Sequence, residues 1–312
     1  MPELPDLTVY IEAMRERILG AILTQVRMHS LFVLRSVEPR IEELEGRSVV
    51  GIERIGKRLV IEFDDEYFVV IHLMVAGRLH WREPDKAKPH RHRLANFVFS
   101  SAESRTLGVL CLDEAGKKKR ASIHVVAGRA DLAQHGRDGI EVLACDIDDF
   151  VTRMQRDVHT LKRALTDPSI LSGIGNAYSD EILWEARLSP FRRTDKLDAA
   201  EWQRLFDACR EVLTTWSARL VAECGGAWPK KVTAFRPEMA VHGKHREPCP
   251  RCGDEVQRIV HADNEANYCA RCQTGGKLLA DRALSQLLRG DWPRSLDELD
   301  AMRERHRGLT DS

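Results

Sequence analysis

Four of the eight cysteines in this 312-residue chain fall inside one short stretch, CPRCGDEVQRIVHADNEANYCARC. Cys249 and Cys252 form one CxxC pair, Cys269 and Cys272 a second, with sixteen residues between the pairs. Two residues between cysteines let both thiolates turn back toward one point. Two such knuckles supply the four soft ligands of a tetrahedral zinc. The residues between them alternate from Glu255 to Val260 and read as a strand, with a second strand through Tyr268. The expectation is a β-hairpin clamped at its open end by one structural Zn2+. Disulfide pairing is the alternative, set aside because the chain reads as cytosolic. The other cysteines, Cys111, Cys145, Cys209 and Cys224, are scattered and are expected to be core residues or free thiols.

A closed metal knuckle leaves most of the chain to be folded by other means. Hydrophobic residues make up 43% and charged residues 31%, the composition of a globular protein large enough for two or three domains. No apolar run is long enough to cross a bilayer, and the first twenty residues lack the pattern of a secretory signal. An intracellular, cytoplasmic and nucleoid-associated location without membrane contact is therefore expected. Lysine plus arginine equals aspartate plus glutamate at 48 each, which argues against a wholly basic nucleic-acid binder. Local patches remain open: Lys117 to Arg120 is a basic block, and Asp146, Asp148 and Asp149 an acidic one, although such blocks also occur as solvated surface.

Periodicity divides the chain. Residues 8–20 carry apolar positions at helical spacing and stop at Gly20. From about 23 to 126, runs such as LVIEF, YFVVIHL and LGVLCL are broken by DDE, EPDK and SSAES. That is an antiparallel sandwich or barrel. A polar linker over 137–148 precedes one or two helices in DDFVTRMQRDVHTLKRALTD. A long amphipathic helix follows, with Trp202, Leu205, Phe206, Cys209, Val212, Leu213 and Trp216 on one face and Gly225–Gly226 at its end. Between these helices, Gly173, Gly175 and Asn176 make a tight turn ahead of an apolar helix. Backbone N–H groups at such a turn suit a phosphate, though the turn alone also reads as a plain interhelical loop. Beyond residue 276, Leu284, Leu287 and Leu288 suggest one short helix and SLDELDAMRERH another, with no assigned role.

Five features occur together: MPELP at the start, GK in RIGKRL, HLxxxGRL at 72–79, GIGNAYSDEIL at 173–183 and the CPRC…YCARCQ finger. In combination they resemble the formamidopyrimidine-DNA glycosylase and endonuclease VIII (Fpg/Nei) family over roughly residues 1–273. The resemblance implies an α+β multidomain fold. An N-terminal catalytic β-sandwich would span 1–136 and a helix–two-turn–helix domain 137–240. The zinc finger would span 241–275 and a C-terminal helical extension 276–312. It implies a monomeric DNA-repair glycosylase with abasic-site lyase activity, acting on double-stranded or locally unpaired damaged DNA through a Schiff base. Its rivals are an abasic-site lyase with little base excision and a damage-binding protein without catalysis.

The resemblance also distributes roles. Removal of the initiator methionine would free the secondary amine of Pro2, the nucleophile, and an α-amino group titrates at about 7.7–8.0. Glu3 would move protons at the sugar and base, and Lys57 would contact phosphate beside the lesion and assist elimination. His90, Lys162, Asn176 and Lys244 would contact the DNA backbone, which positions DNA without reading its sequence. Four departures bear on base selection. Asn264 stands where the family finger usually has arginine. Val75 aligns with a void-filling methionine, with Met74 one place earlier and expected on the other face of a strand. DEAGKKKRAS replaces the DPRRFG loop, and GGAWPKKVTAF replaces a longer closing segment. Asp6 is a milder change, from glutamate.

Overall fold

The computed structural model describes residues 1–116, 118–230, 232–233, 235–261, 264–280 and 293–310. The chain divides into two compact units. One is built from residues 1–139 and 213–234, the other from 140–212 and 235–312.

The first unit opens with α1, Leu4–Ile18, four residues earlier than periodicity placed it. The apolar pattern is not visible in its first turn, where Pro5 takes an initial helical position and Asp6 sits third. Proline is tolerated there because that N–H has no helical acceptor. Gly20 follows at a φ of 77° and ends the helix as expected. Eight strands come next: β1 (Ile22–Met28), β2 (Val49–Ile55), β3 (Arg58–Phe63), β4 (Tyr67–His72), β5 (Gly77–Arg82), β6 (Arg93–Ser100), β7 (Thr106–Glu114) and β8 (Ser122–Ala127). They form two antiparallel four-stranded sheets, ordered β1-β6-β7-β5 and β2-β3-β4-β8. A shared core of Leu59, Ile61, Val69, Ile71, Phe97, Leu110 and Ile123 packs with Leu7, Met14 and Ile18 of α1. The opposite face of the second sheet is also covered, because Val60, Phe68, Val70 and Val126 pack on Leu132 of the short helix α2 (Arg129–Ala133). Burial on both faces is why YFVVIHL reads as continuous apolar sequence rather than as an alternation.

Antiparallel pairing carries several loops to one end of this sandwich. Ile55 pairs with Arg58, Arg93 with Asp113, Gly77 with Glu114, and His72 with Ser122. The turn at 56–57, the loops at 73–76 and 115–121 and the residues leading into β6 at Arg93 therefore share that end, as does the segment leaving β1 at Met28. The 83–92 connection crosses over to it from the far end of β5, where Arg82 pairs with Val109.

The second unit begins with α3 (Ile147–Gln155) and α4 (Leu161–Thr166). Asp146 accepts the Asp149 N–H at 2.9 Å and Thr160 the Arg163 N–H at 3.4 Å, capping the two helices. Then come α5 (Asn176–Glu185) and α6 (Ala199–Cys224), whose second half belongs to the first unit. Phe150 packs on Trp202 and Phe206, with ring centroids 6.2 and 5.3 Å away. The finger is a hairpin of β9 (Val256–His261) and β10 (Asn264–Cys269), followed by α7 (Ala270–Thr274). Of the tail, α8 (Leu296–Thr310) is present, and its Leu296 and Leu299 pack beside Ile259, Tyr268 and Leu278. Leu284, Leu287 and Leu288 lie outside the described residues. Among the described residues no helix is long and apolar enough to cross a membrane.

Candidate functional sites

In the first unit, the chain start is enclosed rather than frayed. Pro2 is buried, Glu3 is 3% exposed and Asp6 1%. Glu3 caps α1 with extended backbone, and its N–H donates to Asp6 Oδ2 at 3.0 Å. An acid at this position also complements the positive end of the helix dipole. Burial lowers the pKa of the Met1 amine, one residue before Pro2; Glu3 and Asp6 oppose that shift, while Arg78 and Lys57 add to it. The amine thus lies among two carboxylates and two cations, with a larger neutral fraction than an exposed terminus.

Local geometry explains how the cations arrive. Ile55 and Arg58 pair across a two-residue turn in which Gly56 takes a φ of 59°, which puts Lys57 at a hairpin tip. Arg78 donates to the carbonyl oxygens of Val75 at 3.0 Å and Gly77 at 2.6 Å, bracing the β4–β5 loop. Within that loop the strand-alternation argument for Met74 and Val75 fails. Both lie beyond the end of β4, Met74 has a φ of 52°, and Val75 is 62% exposed. The close approach of Gly77 to the Leu73 carbonyl, which a Cβ would meet at 2.3 Å, is what lets the loop close.

His72 was part of a recognised motif but received no role from sequence. Burial, then Arg58, Lys57, His124 and the terminal amine, lower its pKa to about 4, so a neutral imidazole borders the site. His90 is half exposed and joins an internal cluster. Its Nε2 is 3.4 Å from Asp113 Oδ2 and 3.2 Å from the Arg93 guanidinium. The DEAGKKKRAS loop is ordered by Glu114, whose carboxylate accepts the N–H groups of Arg120 at 2.9 Å and Ala121 at 3.2 Å. Lys117 lies outside the described residues. Trp228, from the altered GGAWPKK segment, donates from Nε1 to the Leu79 carbonyl at 2.9 Å and lies 5.8 Å from Tyr10 and 6.3 Å from Trp81. That segment is anchored on the sandwich at this point.

The second unit holds a buried polar network that sequence reading did not foresee. Lys162 Nζ donates to the Asn176 carbonyl at 2.7 Å and to Asp180 Oδ1 at 2.5 Å. Asp180 Oδ2 accepts from His242 Nδ1 at 2.8 Å and from Asn267 Nδ2 at 3.1 Å. Beside it, Glu181 accepts the N–H groups of Ala240, Val241 and His242 at 2.8–2.9 Å. Burial still pushes the Glu181 carboxyl up. Phe235 stacks on His242 with centroids 5.5 Å apart. Two adjacent acids on α5 therefore bind the Gly173–Asn176 turn, the finger strand and the 240–242 segment together. The available signal was Asp180–Glu181 flanked by Tyr178, Ile182 and Leu183, because acids within an apolar run imply buried partners.

Sequence-assigned DNA contacts in this unit have prior engagements. Lys162 is paired with Asp180, and Lys244 donates to Glu247 at 2.9 Å. Asn176 begins α5 after Gly175, with Gly173 at a φ of 81°. Asn264 opens β10 opposite His261, and its side chain lies outside the described residues.

The four cysteines converge at the open end of the hairpin, where Val256 pairs with Cys269. All four sulfurs lie within 4.8 Å of one another and are free thiols rather than disulfides. Cys249 and Cys272 are 3.9 Å apart and Cys252 and Cys269 3.4 Å. Zinc–sulfur bonds of about 2.3 Å in a tetrahedron imply sulfurs about 3.8 Å apart, so the cluster fits the ion. Trp184 Nε1 donates to Cys249 Sγ at 3.3 Å. Burial pushes this thiol up, but Trp184 and the N–H groups of Arg251 and Cys252 outweigh it and bring it down to about 7. Cys249, Cys252, Cys269 and Cys272 hold one structural zinc; the shell is filled, and the ion supplies folding free energy of about 10–16 kcal/mol in comparable sites. Elemental analysis is expected to give one zinc per chain. Cys269→Ser should lower that ratio well below one and expose the β9–β10 amides to hydrogen exchange. Full zinc content in that variant would remove Cys269 from the site.

Known proteins align with both units. Residues 1–109 match the formamidopyrimidine-DNA glycosylase N-terminal domain, 139–218 the H2TH domain of the same enzymes, and 246–275 a zinc finger found in FPG and IleRS. A formamidopyrimidine-DNA glycosylase from Heliobacterium modesticaldum is 31% identical over 289 residues, covering 88% of this chain and all of the relative. An uncharacterized formamidopyrimidine-DNA glycosylase-like protein of Mycobacterium tuberculosis is 40% identical over 151 residues, covering 48% of this chain and 94% of that one. The Lactococcus lactis Fpg in complex with DNA containing an abasic site superposes with a TM-score of 0.75 at 24% identity. That match covers 87% of this chain and 99% of the other, a likeness of fold.

Proposed function

This chain belongs to the Fpg/Nei family, and from that premise we propose that it is a DNA-repair glycosylase with abasic-site lyase activity, acting on damaged DNA through the amine of Pro2. The observation that carries the reading is the enclosed chain start. Pro2 is buried, and burial lowers the pKa of the Met1 amine beside it, among Glu3, Asp6, Lys57 and Arg78; an amine freed at Pro2 would start in the same surroundings.

Only the neutral amine has the lone pair that attacks C1′ of a deoxyribose. In the proposed sequence, the Pro2 nitrogen forms a bond to C1′ and the damaged base departs with a proton. Glu3, buried at the start of α1, supplies and accepts protons in these steps. Opening of the sugar leaves an iminium, which draws electrons from C2′ and makes its proton acidic. Loss of that proton breaks the C3′–O3′ bond and releases the 3′ phosphate. Water then hydrolyses the iminium and frees the amine. Lys57, at its hairpin tip, neutralises the departing phosphate. The half-exposed His90 and the Gly173–Asn176 turn would contact the DNA backbone, with Lys162 bracing that turn. Lys244 and Asn264, also of the second unit, would contact it as well.

A second reading, an abasic-site lyase with little base excision, is favoured by Val75. Its short, exposed side chain fills less space in an emptied base stack than methionine does. Borohydride trapping separates the readings, because only a Schiff base becomes covalent. Trapping on an abasic duplex and on a duplex with an intact damaged base is the expected result. Trapping on the abasic duplex alone selects the second reading, and trapping on neither selects a damage-binding protein without catalysis. Unpaired and abasic sites should be processed faster than oxidised guanine opposite cytosine, since flipping costs least where pairing is already lost.

A further inference from the structure

We propose that Leu31 and Phe32 form an apolar wedge that enters the DNA base stack beside the lesion. The proposal rests on the DNA reading above. Both side chains point into solvent, Leu31 79% and Phe32 82% exposed. They are adjacent, so an aliphatic and an aromatic group are presented together. Their backbone is held at both sides. The N–H groups of His29 and Ser30 donate to the Leu94 carbonyl at 2.8 and 3.2 Å, and Arg35 donates to the Ile123 carbonyl at 2.8 Å. Ser36 Oγ accepts the Val125 N–H at 2.8 Å, and Val33 is buried in the sandwich core. The segment thus ties β6 of one sheet to β8 of the other, and its tip projects. A projection held in place loses little conformational freedom on binding.

Position and charge select the occupant. The segment leaves β1 at the end of the sandwich that carries Lys57, Val75, His90 and the Lys118–Arg120 loop. Arg27 and Arg35, both exposed, stand on the two sides of the tip along the chain. An apolar tip between exposed cationic side chains complements a nucleic-acid strand, in which apolar base faces lie between phosphates. Apolar side chains inserted between base steps unstack and kink a duplex. DEAGKKKRAS, which replaces the family's DPRRFG loop, has no aromatic residue, and this tip presents one from another loop.

The test is fluorescence anisotropy at one salt concentration, using a duplex with a tetrahydrofuran abasic analogue and an intact duplex of equal length. Both positions are so exposed that the Leu31→Ser/Phe32→Ser variant should remain folded. It is expected to lose between about fivefold and a hundredfold in affinity for the abasic duplex, the range of one base–aromatic stack. Affinity for the intact duplex should change less than about twofold, because phosphate contacts dominate there. A 2-aminopurine base next to the abasic analogue should brighten on binding the unaltered chain and not on binding the variant. Unchanged affinity for the abasic duplex, an equal loss on both duplexes, or a dimer of the unaltered chain that the variant dissolves would overturn the wedge. Borohydride trapping on single-stranded abasic DNA, which needs no wedge, should be the same for both proteins. Its absence in the unaltered chain would overturn the catalytic reading, while the anisotropy still judges the wedge.

Discussion

A single residue left in front of Pro2 will abolish borohydride trapping of abasic DNA. The amine would become an amide, whose nitrogen lone pair is delocalised into the carbonyl and no longer attacks C1′. The effect is expected to be complete rather than graded, because a side-chain lysine, Lys57 included, would have to form the Schiff base instead. Pro2→Gly keeps a terminal amine, a primary one, and should retain part of the trapping. Glu3→Gln preserves shape but removes the carboxyl proposed to move the proton. General acid–base groups contribute about 10²–10⁴-fold, so excision should fall within that range while binding to an abasic analogue changes little. Undiminished trapping by a chain with a blocked terminus would place the nucleophile elsewhere.

The second large effect is one of stability and concerns the second unit. Asp180→Ala should destabilise the second unit by about 3–5 kcal/mol, the cost of stripping a buried charge of its partner. Lys162, His242 and Asn267 all converge on this carboxylate, which is 1% exposed. Its loss leaves an ammonium facing a void and frees the 240–242 segment on one side. Asp180→Asn keeps the volume and one acceptor oxygen, and should cost clearly less. Guanidinium unfolding followed by Trp184 fluorescence would measure both, since that indole reports on the finger through Cys249. A cost below about 1 kcal/mol for the alanine variant would show that water replaces the carboxylate. Phosphate affinity at the Gly173–Asn176 turn should then fall together with stability, because Lys162 braces the turn from inside rather than standing free at its surface.

These two experiments probe parts of the protein that were unequally visible beforehand. The zinc ligands were legible because CxxC spacing is itself a geometric constraint: two residues bring two sulfurs to one point whatever surrounds them. Strand grammar was legible between 23 and 126, since two-sided burial and turn residues leave local marks. The long helix α6 announced itself by its apolar stripe, and Gly225–Gly226 ended it as expected. Pro2, Glu3 and Lys57 were assigned through a family resemblance, not through any local property. Nothing within MPELPD states that its first residues are buried, or that a hairpin tip and Arg78 stand near them.

The rest depended on partners remote in the chain. Met74 and Val75 were read as strand residues because HLMVAG is apolar, yet the ladder ends at His72 and a carbonyl–glycine contact closes a loop there. His72 looks like any half-buried histidine until Arg58, Lys57 and His124 surround it. Asp180 meets Asn267 across 87 residues of sequence, and Trp228 meets Leu79 across 149. Exposure of Leu31 and Phe32 is likewise a tertiary fact, since an apolar LFVL run reads as core until one learns which of its side chains the two sheets enclose. Sequence alone therefore determined what short-range geometry encodes: the metal site, the order of strands and helices, and the family. The environment of the chain start, the acid that joins turn to finger, and the apolar tip at the end of the sandwich were decided by tertiary structure, because charge state, burial and partner depend on groups that only folding brings within a few ångströms.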